Sequence, residues 1–363
     1  MINFALGAIF RMPADPRVEP SSSQRFFNYG RSIEGKLREL IKPDDKQSGP
    51  IVVAGWIDSR CRRTVPNVSG LVGVSIFGNS FSKQLTDAVT KLDPRISVEE
   101  YGGPGAPPNH SYACFVEENR FGGDQHDVQI IGVTASSLPR METMWGATTS
   151  FEYPQPFTFP RYRIGADGNL IAHEPSVRSP DDLRRILSDP TKRDEWFAEL
   201  SANDYFYVHS LTAEDLADKS VMTRMIQRGF AQYISRSRMA KLRGNDGKFT
   251  APDIVNVLPK LIGNFAKIAR DSGKRPIVVL FEEYGYGGAL MPLLSSTLAH
   301  DHIEYVYSGD FVPANDLRNY VSDGHFSPES NVKIATALLK MIDAKPADIA
   351  QTAAGHAEVN TIH

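Results

Sequence analysis

A chain of 363 residues, 41% hydrophobic and 23% charged, can bury a sizeable core as one large domain or one domain with an elaborate insertion. A formal net charge of −3 and a pI near 6.3 exclude the basic footprint that a nucleic-acid partner would require. Two cysteines, Cys61 and Cys114, suffice for one bridge or none, and exclude both a disulfide framework and a cysteine-built zinc site.

Met1 to Phe10 (MINFALGAIF) is apolar, yet falls well short of the roughly 20 residues that cross a bilayer. It has neither the basic start nor the small-residue cleavage site of a signal peptide. A segment packed on the domain is preferred to the tail end of a longer membrane anchor, and no other stretch is able to span. Residues 1–50 read as an N-terminal arm around one helix, Ser32 to Ile41.

A regular alternation begins near residue 70. Leu71 to Phe77 (LVGVSIF) has the short, apolar, β-branched character of a buried parallel strand. Gly78-Asn79-Ser80 follows, then a helix with Leu85, Ala88, Val89 and Leu92 at spacings of three and four. A second strand, Ile96 to Tyr101, runs into the loop Gly102-Gly103-Pro104-Gly105. A helix near Asn109–Asn119 and a third strand, Val128 to Val133, complete this half. Residues 150–249 break the pattern with the Pro-rich stretch FEYPQPFTFP, a hairpin (Arg161–Ile164 and Leu170–His173) and polar helical sequence over 180–241. They read as an insertion or lid. The alternation resumes near Thr250 with a helix ending at Gly273, a strand Ile277 to Phe281, a strand Ile303 to Tyr307, and a last helix beginning near Ser327. Residues 346–363 read as a flexible tail. The expected fold is therefore α/β, a three-layer α/β/α arrangement with a central parallel sheet over 51–149 and 250–345, plus the hairpin and helical insertion.

In such a sheet, ligands bind beyond the carboxyl ends of the strands, which selects the loops 78–82, 102–109, 134–140 and 308–326. Ser80 stands where the first strand meets its helix, either as an exposed nucleophile at a helix N-terminus or, with Ser82, as a plain helix cap. Asp323-Gly324-His325 supplies what a nucleophilic serine needs, a base and a carboxylate to orient it, on one loop clamped by Ser327 as N-cap and Pro328 as the first helical residue. The bland alternative is an Asp-Gly turn bearing a surface histidine.

Together, Phe77-Gly78-Asn79-Ser80-Phe81-Ser82 and Ser322-Asp323-Gly324-His325-Phe326-Ser327-Pro328 resemble the first and last blocks of the SGNH/GDSL hydrolases. The resemblance covers roughly residues 70–140 and 255–342. It implies a flavodoxin-like SGNH-hydrolase domain, discontinuous over 51–149 and 250–345, in which Ser80, Asp323 and His325 form a catalytic triad. Asn79 replaces the family's usual Asp. The Asp-x-His spacing is shorter than the usual Asp-x-x-His and occurs in branches that include polysaccharide O-acetyltransferases. The family's second block places a backbone N–H in the oxyanion hole, here Gly105 with Gly103 as the alternate. Its third block normally supplies an Asn, which is missing from Gly132-Val133-Thr134-Ala135-Ser136-Ser137. A hydroxyl of Thr134 or Ser136 is the candidate substitute donor, and Ser136 is taken as the third.

The implied activity is a serine esterase acting on O-acyl groups of a carbohydrate or other small ester. The alternatives are a polysaccharide O-acetyltransferase and a catalytically weak glycan-binding protein on the same fold. No cofactor and no metal are called for. His300-Asp301-His302 lacks a third ligand, Glu282-Glu283 is a poor carboxylate pair for glycoside chemistry, and Cys114 reads as a core thiol. His173 and His209 either line the cleft or face water. Arg60, Arg62 and Arg63 read as a solvated face, and Tyr153, Phe157, Phe159 and Tyr162 as packing of the Pro-rich segment. The partners expected are a small-molecule or carbohydrate ester, with no nucleic acid, and a membrane only through an anchor upstream of this chain. Resemblance to envelope-polysaccharide enzymes favours a periplasmic or envelope location, the absent signal peptide a cytoplasmic one. Acyl group, acceptor and oligomeric state are not legible.

Overall fold

A computed structural model describes residues 2–13, 18–40, 55–56, 68–121 and 126–343. The tail and the Arg60, Arg62 and Arg63 cluster lie outside these residues, as does Cys61. Strands β1 (Val72–Gly78), β2 (Ile96–Gly102) and β3 (Val128–Thr134) precede the hairpin β4 (Arg161–Ile164) and β5 (Leu170–His173), and β6 (Arg275–Phe281) and β7 (Glu304–Tyr307) follow it. The hairpin pairs antiparallel, and the other five strands form one parallel sheet in the order β2-β1-β3-β6-β7.

Three short helices lie in the N-terminal arm: α1 (Ile2–Ile9), α2 (Ser22–Asn28) and α3 (Ile33–Leu40). Next come α4 (Ser80–Leu92) and α5 (Pro108–Phe121), then α6 (Gly146–Thr149), α7 (Pro180–Ser188), α8 (Pro190–Asn203), α9 (His209–Thr212) and α10 (Val221–Lys241). The chain closes with α11 (Leu258–Asp271), α12 (Leu290–His300) and α13 (Pro328–Asp343). Strand residues alternate between two cores, as the period of two demands. Val74, Ile76, Ile130, Ile277 and Val279 pack under α4 and α13, which supply Leu85, Val89, Ile334 and Leu338. Phe77, Ile131, Val133, Val278 and Leu280 face α5, α11 and α12 on the other side. The expected three-layer α/β/α fold is the observed one.

Two readings need correction. No helix was expected between β6 and β7, where α12 stands; Gly287-Gly288 and Pro292 obscure its pattern, while Leu290, Leu294 and Leu298 bury its face. His300-Asp301-His302 ends this helix and turns ahead of β7, with His302 at φ 48°. The described residues contain no cluster fit to hold a metal ion. Cys114 is buried and disulfide-bonded, so it is not a free core thiol.

Arm and insertion share a third core. Ile33 and Leu37 of α3 pack with Trp145, Phe157, Phe159, Leu183, Trp196 and Leu200, so the Pro-rich aromatics Phe157 and Phe159 serve packing. Tyr162 is buried in the main core beside α5, while Tyr153 is exposed. The insertion is bolted to the sheet domain at Arg161, whose guanidinium reaches Glu142 at 2.9 Å and also contacts Asp253. Two carboxylates share one buried cation there. Burial first, and then the neighbouring Asp253 charge, push the Glu142 carboxyl up from 4.5 to about 7, against the pull of Arg161. Between those values the folded chain holds a proton that the unfolded chain has released, so stability falls as pH rises through the window. Chemical denaturation of wild type should show that loss, on the order of 3 kcal/mol between pH 4.5 and 8 from this group. Glu142→Gln should flatten the slope; a variant with the wild-type slope would refute the assignment.

Candidate active site

At the carboxyl end of β1 the chain turns directly into α4, and Asn79 caps the helix. Its side-chain oxygen accepts from the Phe81 N–H at 3.1 Å, while its amide donates to Thr134 Oγ1 at 2.8 Å and more weakly to Ala106 O at 3.4 Å. Ser80 and Ser82 are therefore not the cap. Ser82 is buried inside the helix, whereas Ser80, the first helical residue, keeps its hydroxyl for other work.

The other half of the site comes from the opposite end of the chain. Tyr320 and Phe326 form an isolated bridge, Val321 N–H donates to His325 O at 2.8 Å, and Gly324 turns the tip at φ 87°, a left-handed angle suited to glycine. Ser327 Oγ accepts from Ser330 N–H at 3.2 Å and caps α13, as expected. This small hairpin holds His325 with its ring against Phe81, centroids 4.8 Å apart, and its Nε2 at 2.8 Å from Ser80 Oγ. The contact joins residues 245 positions apart in sequence.

Asp323 completes the constellation less tightly. Its Oδ1 lies 3.0 Å from His325 Nδ1, an ion-pair distance, yet Nδ1 makes no aligned hydrogen bond. The distance is the firmer of these two facts, because a carboxylate 66% exposed can swing into line when a cation forms beside it. The same oxygen accepts the His325 backbone N–H at 3.1 Å, and that bond, followed by the ring contact, holds the Asp323 carboxyl below its ordinary range.

A cleft of about 840 Å³ opens over this group, lined by Ser80, Gly105, Ser136, Arg140, Glu283 and His325 among others. Gly105 faces it, and the alternate Gly103 is not in its lining. Gly105 adopts φ 63° and its carbonyl accepts from Arg140 Nη1 at 2.8 Å, which fixes the orientation of the loop. A Cβ at this position would meet that Nη1 at 2.0 Å.

Ser136 behaves otherwise than expected. Its N–H and its hydroxyl both donate to the Glu283 carboxylate, at 2.7 and 2.6 Å, so neither is aimed at a developing oxyanion. Thr134 is buried and receives the Asn79 amide. Two backbone groups remain as candidate donors: the Ser80 N–H, which has no intrahelical partner at the first turn, and the Gly105 N–H. Burial pushes the Glu283 carboxyl up, against the two Ser136 bonds. Glu282 accepts instead from Leu290 N–H at the start of α12, so the adjacent carboxylates do not address one bond. His209 bonds Tyr207 and His173 lies near Glu199, neither of them in the cleft lining.

Sequence reasoning missed Glu283 as a brace, Arg140 as a cleft residue, and Asn79 as the cap. Only the last had a local signal, since Asn at a strand–helix junction is a strong N-cap former. No protein-family model matches the chain, and no curated protein matches it in sequence. Asn79→Ala, which removes the cap and the Thr134 tie together, should cost about 1–3 kcal/mol in urea denaturation. Asn79→Asp keeps the cap acceptor and should cost distinctly less; equal losses would refute the capping role.

Proposed function

We propose that the protein is a serine-dependent acyl-ester hydrolase of the SGNH/GDSL kind, acting on O-acyl groups of a carbohydrate or other small ester. The observation that carries this reading is the 2.8 Å contact between His325 Nε2 and Ser80 Oγ. A serine hydroxyl is a weak nucleophile until a base within hydrogen-bond reach takes its proton.

Ser80 Oγ attacks the ester carbonyl as its proton passes to His325 Nε2. The carbonyl oxygen becomes an oxyanion facing the Ser80 and Gly105 N–H groups. Collapse breaks the bond to the alcohol oxygen, which takes the proton back from His325, and leaves an acyl-Ser80. Water then gives its proton to His325 and attacks the acyl carbon, releasing the acid and restoring the serine. Asp323 balances the imidazolium in both steps. A sugar hydroxyl in place of that water makes the second step an O-acyl transfer. The open cleft and the Asp-x-His spacing leave that variant as the second reading.

Intact-mass analysis after fluorophosphonate treatment tests the nucleophile. One adduct is expected on wild type, mapping to Ser80 and absent from Ser80→Ala and His325→Ala. No adduct on folded protein would remove the nucleophile and leave a glycan-binding protein as the better account. Because Asp323 is largely exposed, Asp323→Ala should lower ester turnover well short of the ~10⁴-fold cost seen when a buried triad carboxylate is altered. A loss of that full size would show that the carboxylate is tightly engaged during turnover.

A further inference from the structure

Arg140 has a surplus of charge. It sits at the end of the 3₁₀ segment Ala135–Glu142 that follows β3, and part of its side chain reaches the cleft wall. Its guanidinium is desolvated enough for burial to lower its pKa. All its hydrogen-bond partners are neutral: Gly105 O at 2.8 Å, Gln155 Oε1 at 2.9 Å and, weakly, Ser150 Oγ at 3.4 Å. No carboxylate among the described residues pairs with it.

Two carboxylates do line the same cleft, and both have other partners. Glu283 receives the two Ser136 bonds, and Asp323 lies against His325. A guanidinium drawn out of water without a counter-ion is costly, and an anion arriving with the substrate would offset that cost. Arg presents a planar fork that matches a carboxylate better than a lysine does.

Resting on the ester-transfer reading of this cleft, we infer that Arg140 is the anion receptor of the site and that the substrate carries a carboxylate close to its ester. Because Arg140 also holds the Gly105 carbonyl, filling the receptor tightens the loop that bears the candidate oxyanion donor. An acidic substrate would thus improve its own alignment.

The test separates binding from turnover. Full-length Ser80→Ala is titrated calorimetrically with methyl β-glucuronide and methyl β-glucoside, which differ by the carboxylate. The glucuronide should bind at least tenfold tighter, and the preference should weaken with added salt. Arg140→Gln in the same background should abolish the preference, and Arg140→Lys should retain part of it. A purely structural Arg140 would weaken both sugars alike and leave their ratio unchanged, which would overturn the inference. Equal affinities, or no measurable binding of either sugar, would overturn it as well. If Arg140→Gln does not fold, as judged by its thermal melt, the Arg140→Lys ratio and the wild-type salt dependence decide. Failure of the esterase reading looks different: wild type takes no fluorophosphonate while the glucuronide preference persists.

Discussion

The side-chain amide of Asn79 is the joint on which the site depends. An α-helix begins with unpaired N–H groups, and the residue before it must supply an acceptor or leave them to water. Asn79 supplies its oxygen to Phe81 N–H and turns its NH₂ toward Thr134 at the end of β3. One buried group therefore fixes the start of α4 and its distance from the neighbouring strand. An Asp there could accept from the helix but could not donate to Thr134 when ionised. Because the capping is done one residue early, Ser80 is freed from the task that serine usually performs at helix starts. The hydroxyl can then face His325.

A second joint ties the insertion to the sheet. Arg161 on β4 meets Glu142, at the end of the segment that follows β3, and Asp253, just before α11. The third core extends this union, since α3 of the arm and the helices α7 and α8 bury their apolar faces against one another. Residues 150–249 thus share buried cores with both the arm and the sheet domain. Phe206, Leu242 and Phe249, all from the insertion, are buried in the same core as β3 and β6.

The strands were legible because β-branched runs bounded by glycine leave few alternatives. The hairpin was legible because Asp167-Gly168, a turn-forming pair, separates two short segments with the length of strands. Helix α12 was not, since Gly287, Gly288, Pro292 and a Ser-Ser-Thr run dilute the pattern that Leu290, Leu294 and Leu298 carry. At the site, Ser80, Asp323 and His325 could be nominated from local context, and the fold brings them together. Ser136 misled because a hydroxyl in the right loop cannot reveal a carboxylate 147 positions away that engages it. Arg140 was invisible for the same reason: its environment is made by Gly105 and Gln155, and only the folded chain assembles it.

The hairpin that carries His325 has a bearing on how the protein is made. Ser80 lies in the first quarter of the chain, and its partner is held between Tyr320 and the cap of α13. Synthesis runs from the N-terminus, so strands β1 to β3 leave the ribosome long before residue 325 exists. Through that interval Ser80 stands without His325 beside it. The contact closes only when α13 docks against α4. The contact between His325 and Ser80 therefore forms late, long after the strands around Ser80 have been made.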